Sequence, residues 1–353
     1  MKTLENQGLL PLSKKLINND EWIVREAVAY GLGLTYIGER NKEAIELIKK
    51  LLKDKENRVR ESAIIALGLL FHQTGEETTF AHILRKNFPE KKPQLITKTI
   101  IYLAACLTSR DLIKALFEGI NIPVIDKEAR FWIELSLMHL AAMQFAFIVN
   151  FINLQGQITD EDILEMFKYH LNRDEMHAKS AVLIHIARAF QKTNDEIITD
   201  IVKPVLDQKD FFVKKYATLA LSIIHQGSGN EKLAKELLEH KDNEVKSTAI
   251  LGTGIIFQQQ YEKVLKILQP YFESSDELER RVSLISAGLA FHGDNKRVLE
   301  VISKFLEEKD PYLLSGALIA LGLASSKPGL INLSVLYGTA YGPFFPDMFL
   351  IYI

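Results

Sequence analysis

The sequence predicts an all-α fold, an α-solenoid of about nine helix-pair repeats. Similar helical segments recur along the chain, and most lie roughly 31 to 37 residues apart, the period of a helical repeat. Each segment ends in a small residue, and these residues are Gly33, Gly68, Ala105, Ser136, Ala187, Ser222, Gly254, Gly288 and Gly322. The composition agrees, because 47% hydrophobic and 25% charged residues are typical of a folded chain.

Each unit begins with an amphipathic first helix. In residues 44–52 the apolar side chains recur at three- and four-residue steps, with lysine and glutamate on the opposite side. The same pattern predicts first helices at residues 41–53, 195–206, 261–272 and 295–306. We therefore expect each of these helices to bury one face and to expose the other.

The second helix of each unit carries the small residue and is apolar on most sides, as at residues 62–71, 181–190 and 217–224. This pattern predicts an inner layer between neighbouring repeats. Glycine inside a helix costs about 1 kcal/mol relative to alanine, so its recurrence at one repeat position predicts close helix contacts. The glycines assigned to such contacts are Gly33, Gly68, Gly254, Gly288 and Gly322.

An acidic and a basic residue recur at constant distances before the small residue in most units. The acids are Glu21, Glu56, Glu175, Asp210, Asp242, Asp276 and Asp310, and they are expected to cap the second helix. The bases are Arg25, Arg60, Lys179, Lys214, Lys246 and Arg280. A base here can pair within its own unit or with the next unit's turn, which predicts a structural ladder along the stack. The alternative is a basic strip that binds an acidic partner.

The repeat array is expected to span residues 1–325, with an irregular region near residues 137–175 where the spacing widens. Residues 326–353 form an apolar tail. Because a repeat array needs a polar cap at each end, we expect this tail to fold back over the last helix pair; the alternatives are that it contacts another subunit or that the chain is incomplete.

Several classes of function are disfavoured. A net charge of −2 gives no basic excess for nucleic acid, and interrupting polar residues and prolines argue against membrane spans in the apolar stretches 135–154 and 329–353. A lone cysteine, Cys106, cannot build a disulfide framework or a multi-cysteine metal site. No phosphate loop, His-Glu-x-x-His motif or serine elbow occurs, so no catalytic, cofactor or metal residue is assigned. Without a recognisable targeting motif, we expect a cytoplasmic or nuclear protein.

The glycine-rich helix ends carry a resemblance to a known family. Residues 29–45 read AYGLGLTYIGERNKEAI, with weaker echoes at residues 221–231 and 287–296. These segments resemble the proteasome/cyclosome repeat, a relative of the HEAT repeat, and the likeness covers about residues 20–325. The resemblance implies a scaffold, because this family includes large non-ATPase subunits of the proteasome regulatory particle and the largest cyclosome subunit.

The function expected from these observations is a non-catalytic scaffold or adaptor that binds protein partners along its repeats. The resemblance further implies a subunit of a larger complex of the proteasome type. The sequence does not identify the partner. No histidine is followed by glutamate, so the iron-binding dipeptides of the HEAT-like deoxyhypusine hydroxylase are missing. The alternative is an enzyme or a nucleic-acid-binding protein whose site is assembled across several repeats.

Overall fold

The computed structural model describes residues 8–71, 74, 79, 82, 83, 86, 87, 159–173 and 176–326. These residues form fourteen α-helices and two short 3-10 segments without a strand, which confirms the all-α solenoid class. The first helices of the pairs are α1 (Leu9–Leu16), α3 (Lys42–Leu51), α5 (Asp160–Leu171), α7 (Glu196–Val202), α9 (Glu231–Leu238), α11 (Tyr261–Phe272) and α13 (Asn295–Ile302). The second helices are α2 (Trp22–Thr35), α4 (Asn57–Leu70), α6 (Met176–Ala189), α8 (Phe211–Ile224), α10 (Asn243–Ile256), α12 (Glu277–Ala290) and α14 (Pro311–Ser325).

Two of the predicted first helices end earlier than expected. Helix α7 continues as a 3-10 segment at Lys203–Asp207, and α13 continues as one at Ser303–Leu306. In the first case Pro204 lacks the backbone N–H that an α-helical turn would need, so the chain tightens at that point. The second helices, by contrast, begin several residues before the predicted apolar segments, because each starts directly after its acidic cap position.

The burial pattern separates the two helices of a pair. Helix α3 buries one stripe, Ala44, Ile45, Leu47, Ile48 and Leu51. Helix α2 is buried along almost its whole length, from Ile23 to Leu34, and the large Tyr30 side chain has no exposed surface. The second helices therefore form the packed interior, and the first helices provide the solvated faces.

The described helices fall into two compact units. The first comprises residues 1–133 and 269–353, and the second comprises residues 134–268. In the first unit the second helices stack in the order α12, α14, α2, α4, so the last described repeat lies against the first. In the second unit the order is α6, α8, α10. Sequence periodicity gave no indication that α14 and α2 would be neighbours.

Close contacts between second helices follow one register. A Cβ atom on Gly33 would lie 2.7 Å from the Cα atom of Ala66, and one on Gly288 would lie 2.5 Å from the Cα atom of Ala320. In both cases the small residue of one repeat meets the residue two positions before the small residue of the next repeat. No side chain fits between backbones at this distance, so glycine is required there.

The same register holds in the second unit and at the junction between α14 and α2. A Cβ atom on Gly252 would lie 3.2 Å from the Cβ atom of Ser222. At the junction, a Cβ atom on Gly322 would lie 2.8 Å from the Cα atom of Gly31. Helix α2 thus sits against α14 as the next repeat in a series would.

The other two glycines assigned to close contacts are Gly68 and Gly254. They are buried in α4 and α10. The helix expected after α4 lies outside the described residues. For these two positions the close contact remains a prediction.

Loops after the second helices cap the end of the following repeat. The backbone N–H groups of Gly227 and Gly229 donate to the carbonyl oxygens of Ile255 and Ile256, at 3.0 and 2.9 Å. Equivalent bonds run from Gly38 to Leu69, Arg40 to Leu70, Lys192 to Ile223, Asn194 to Ile224, and Gly293 to Ala324. All seven donors have positive φ. The carbonyls that a helix leaves unpaired at its C-terminus are therefore satisfied by the preceding repeat.

The fold-back expected of the tail falls on residues 327–353, which lie outside the described part of the chain, and it stays a prediction. The last described helix, α14, packs against both α12 and α2. Helix α1 packs on α2, α3 and α14. The irregular region expected near residues 137–175 lies mostly outside the described residues, apart from residues 159–173, which include α5.

Candidate functional site

The predicted bases lie along the seams between repeats. Arg25 donates from Nε and Nη2 to both carboxylate oxygens of Asp54, at 2.7 and 2.9 Å, in the turn of the next repeat. Its Nη1 atom donates to the backbone oxygens of Asn19 and Asp20 in its own turn. Both members of the ion pair are largely buried. One guanidinium thus joins two consecutive turns through a bidentate pair, a geometry that lysine cannot reproduce.

Arg280 and Arg60 occupy the same repeat position. Arg280 donates to Asp310 at 2.7 Å, again in the next repeat, and to the backbone oxygen of Ser274 in its own turn. Arg60 donates to the backbone oxygens of Asp54 and Lys55 in its own turn. The next turn along, where a partner for Arg60 would lie, is outside the described residues.

The second unit uses lysine at this position. Lys214 forms an ion pair with Asp242 in the next repeat. Lys179 donates to the side-chain oxygen of Gln208 at 2.6 Å. Lys246 is half-buried in α10. The base therefore reaches forward to the following turn in both units, either to the cap residue itself or to the residue two positions before it.

These contacts shift the pKa values of the carboxylates. Burial of Asp54 favours its neutral form, but the hydrogen bonds from Arg25 and from the Glu56 backbone outweigh burial and leave its pKa below the ordinary value. The same balance, with Arg280 as partner, lowers the pKa of Asp310. The hydrogen bond from Lys214 lowers the pKa of Asp242. All three carboxylates are therefore ionised near neutral pH and held in place by their cations.

Whether an acid caps its second helix depends on the length of its side chain: the aspartates do, and the glutamates do not. Asp210, Asp242, Asp276 and Asp310 each accept a backbone N–H of the first turn. Glu21 and Glu56 make no side-chain cap, contrary to expectation. There the residue two positions earlier, Asn19 or Asp54, accepts the N–H of the glutamate instead. Glu175 lies outside the described residues.

His225 connects three helices in the second unit. Its buried side chain contacts the Thr199 hydroxyl in α7 at 2.9 Å and Asn230, the cap of α9, at 3.4 Å. Burial lowers the pKa of His225.

A row of glutamine side chains runs across the same unit. Gln191 donates to Gln226 at 2.7 Å, and Gln226 donates to Gln258 at 2.6 Å. The three residues follow α6, α8 and α10 at one repeat position. The buried amide of Gln226 therefore finds a partner in the repeat on either side of it.

An open groove lies between α5 and α7 in the second unit. It has a volume of about 390 Å³ and is lined by Lys168, Leu171, Asn172, Ile197, Asp200, Ile201, Pro204, Val205 and Gln208. We call it the α5/α7 groove. Gln208, which lines the groove, donates a hydrogen bond to the backbone oxygen of Leu171 at 3.2 Å and accepts one from Lys179. Because Lys179 is one of the ladder bases, the groove shares a residue contact with the ladder.

The rim of the α5/α7 groove combines apolar and charged groups. The Ile197 side chain is 61% exposed, which is unusual for a large aliphatic residue. Lys168 and Asp200 are also exposed, and neither forms an ion pair with another described residue. Such a site can accept an apolar side chain and orient the polar groups beside it.

Comparison with protein families identifies the N-terminal repeats. Residues 9–104 match the family model for HEAT repeats. The match begins with α1 and continues through α4, and it supports a HEAT-like repeat protein. Comparison with curated proteins found no match for this chain.

The described residues contain neither a candidate metal site nor a candidate membrane span. No group of three or more His, Cys, Asp or Glu side chains in residues 8–71, 159–173 and 176–326 is placed to hold a metal ion. None of the helices in these ranges is both long enough and apolar enough to cross a bilayer.

Two structural features of these HEAT-like repeats were missed from the sequence. The loop donors with positive φ include Gly38, Gly227 and Gly293, which follow the small residue at a constant spacing and could have been found from it. The ion pair between Arg281 and Glu26 joins residues 255 positions apart. No local pattern marks that pair, although both residues hold the same repeat position.

Proposed function

We propose that this protein is a non-catalytic scaffold or adaptor that binds a protein partner, and that the α5/α7 groove is part of the binding surface. HEAT repeats are commonly protein-interaction scaffolds, and residues 9–104 are similar to them. The observation that carries the proposal is the exposed Ile197 side chain on the rim of a groove whose lining residue Gln208 is held by two part-buried hydrogen bonds. A preformed pocket with an exposed apolar rim is typical of a protein-binding surface.

The contacts of the ladder bases support assigning partner binding to the groove and stability of the stack to the ladder. Five of its six bases contact turns of their own or neighbouring repeats, so these five stabilise the stack and are not available as a basic strip; they are Arg25, Arg60, Lys179, Lys214 and Arg280. We therefore assign partner binding to the groove rather than to the ladder. The partner is a protein segment that inserts an apolar side chain between α5 and α7, with a polar group close to Lys168 or Asp200.

The resemblance of the glycine-rich helix ends to proteasome/cyclosome repeats bears on the assembly. We propose that the protein is a subunit of a larger, proteasome-type complex in the cytoplasm or the nucleus. Cosedimentation of the tagged protein with the proteasome regulatory particle would support this assignment. Sedimentation as a separate species would contradict it without affecting the proposed groove.

A capture experiment with matched variants tests the groove. Ile197→Asp places a charge on the rim, whereas Tyr169→Asp changes an equally exposed residue, also 61%, that does not line the groove. We expect Ile197→Asp to remove a protein that the wild type and Tyr169→Asp both capture from the source cell. A photocrosslinker at Asn172 should attach to the same protein. Loss of the protein with both variants, or with neither, would contradict the assignment, and recovery of nucleic acid instead would favour the alternative function.

A further inference from the structure

The junction between α14 and α2 joins two helices that no short connection holds together. The contact between Gly322 and Gly31 has the register found between consecutive repeats. No loop like those between consecutive repeats connects the two helices, since they belong to the last and the first described repeats. The junction is thus built as an interface between neighbouring repeats but is held only by non-covalent contacts.

A buried ion pair crosses this junction. The Nη2 atom of Arg281 in α12 lies 2.8 Å from the Oε2 atom of Glu26 in α2, and the two side chains are 3% and 2% exposed. The equivalent residue of α14, between them, is Ser315, and the next residue is Gly316. A Cβ atom on Gly316 would lie 2.7 Å from the backbone oxygen of Arg281. Small residues on α14 therefore allow the helices on either side of it to form the pair.

This ion pair replaces the ladder contact used elsewhere. At the ladder position α14 has Leu314, so no base from α14 reaches the turn before α2. Between the last and first described repeats, the Arg281–Glu26 pair is therefore the charged contact that accompanies the fit of the helix surfaces. A buried charge without its opposite partner destabilises the junction. The pair therefore favours binding of α2, which carries Glu26, over a helix that lacks an acid at this position.

We propose that a second copy of this chain can supply α2 to α14, so that two copies exchange their first repeats and form a reciprocal dimer. Opening this junction breaks the contacts of α2 with α14 and α12 but leaves the contacts between the other consecutive repeats intact. An opened copy presents two different and complementary faces, and two such copies satisfy each other completely. Within one chain the high effective concentration favours the closed monomer, so exchange is expected at high protein concentration.

Two charge-reversal variants test the exchange. Glu26→Arg places two arginines at the junction of its own monomer, and Arg281→Glu places two glutamates there. In a mixed reciprocal dimer, each junction instead contains one positive and one negative side chain. We expect native mass spectrometry of the mixture to show mixed dimers about tenfold or more above the dimer level of either variant alone.

The double variant Glu26→Arg, Arg281→Glu is the matched control. It restores an opposite-charge pair within one chain, so it should remain monomeric and should not form dimers with either single variant above the wild-type level. If the mixed single variants form no more dimer than each does separately, the exchange proposal is wrong.

A second measurement does not depend on tolerance of a buried reversed charge. Isotope-labelled and unlabelled wild-type protein are concentrated together and then diluted for native mass spectrometry. We expect dimers of intermediate mass that increase with the incubation concentration and persist after dilution. Persistent absence of such dimers would overturn the proposal even if the variants fail to fold.

Discussion

The Nε2 atom of His225 lies 2.9 Å from the Oγ1 atom of Thr199, and the hydrogen of that hydroxyl is already donated to the backbone oxygen of Asp195 at 2.7 Å. Thr199 must therefore accept a hydrogen bond from His225. The Nδ1 atom of the same ring faces the side-chain nitrogen of Asn230, which can only donate. The imidazole is thus neutral, with its proton on Nε2.

This arrangement predicts a pH-dependent stability. Burial lowers the pKa of His225 below the usual imidazole value of 6.5, so the unfolded chain takes up a proton more readily than the folded one. Its contribution to stability is present above pH of about 6.5 and is lost as the pH falls through the folded-state pKa. We expect His225→Gln to reduce the slope of unfolding free energy against pH between about 6.5 and 5. His240→Gln controls for the loss of a histidine as such, and an unchanged slope in His225→Gln would contradict the prediction.

The close contact at Gly288 predicts overpacking. Alanine favours a helix over glycine by about 1 kcal/mol, yet a Cβ atom here would lie 2.5 Å from the Cα atom of Ala320. We expect Gly288→Ala to lower the free energy of unfolding by about 1 to 3 kcal/mol in a denaturant titration. Gly8→Ala is the control, because no atom lies within 4 Å of a Cβ atom at that position. Equal stability of the two variants would show that the register is wrong.

The pair between Arg25 and Asp54 predicts strong coupling. Removing one partner leaves a largely buried charge, so Arg25→Ala should cost about 3 kcal/mol of unfolding free energy. Adding Asp54→Ala should then cost much less than it does alone, and a double-mutant cycle measures this difference. Lys14→Ala, which breaks an exposed pair with Glu43, should change stability by less than about 1 kcal/mol. Additive effects of Arg25→Ala and Asp54→Ala would exclude the coupling.

The capping loops predict opposite effects of two substitutions. Gly227 and Lys192 hold one repeat position and have φ of 71° and 62°. No atom lies closer than 4.0 Å to a Cβ atom on Gly227, so Gly227→Ala should destabilise only through backbone strain, by about 1 kcal/mol. Lys192→Gly relieves the same strain and should raise the midpoint of thermal unfolding. A fall in the midpoint for Lys192→Gly would argue against this account.

The fold class could be predicted from the sequence because repetition makes it local. The spacing of the small residues and the apolar stripes specify helix pairs without any knowledge of distant contacts. The structure confirms the all-α class and adds the atoms that the small residues meet, such as Ala66 at Gly33. Periodicity alone cannot provide these contacts, since it fixes spacing along the chain but not the offset between neighbouring helices.

Less of the candidate site than of the fold could be predicted from the sequence. The bases were identified, but Arg25 pairs with Asp54, two residues before the cap, while Arg280 pairs with the cap Asp310 itself. Lys179 likewise contacts Gln208, two residues before the cap Asp210, so the position that receives the base differs between repeats and periodicity does not specify it. The α5/α7 groove is formed by residues of two repeats, and only their packing brings Ile197 beside Leu171.

The contact between α14 and α2 affects the order in which parts of the protein can fold during synthesis. The ribosome releases α2 long before α12 and α14, since Glu26 precedes its partner Arg281 by 255 residues. Until the later helices emerge, the side of α2 that they will cover remains available to other surfaces in the cell. Loop closure over so long a separation is slow, so this contact forms late although α2 is translated long before its partners. Helix α2 should be a principal binding site for chaperones on the nascent chain.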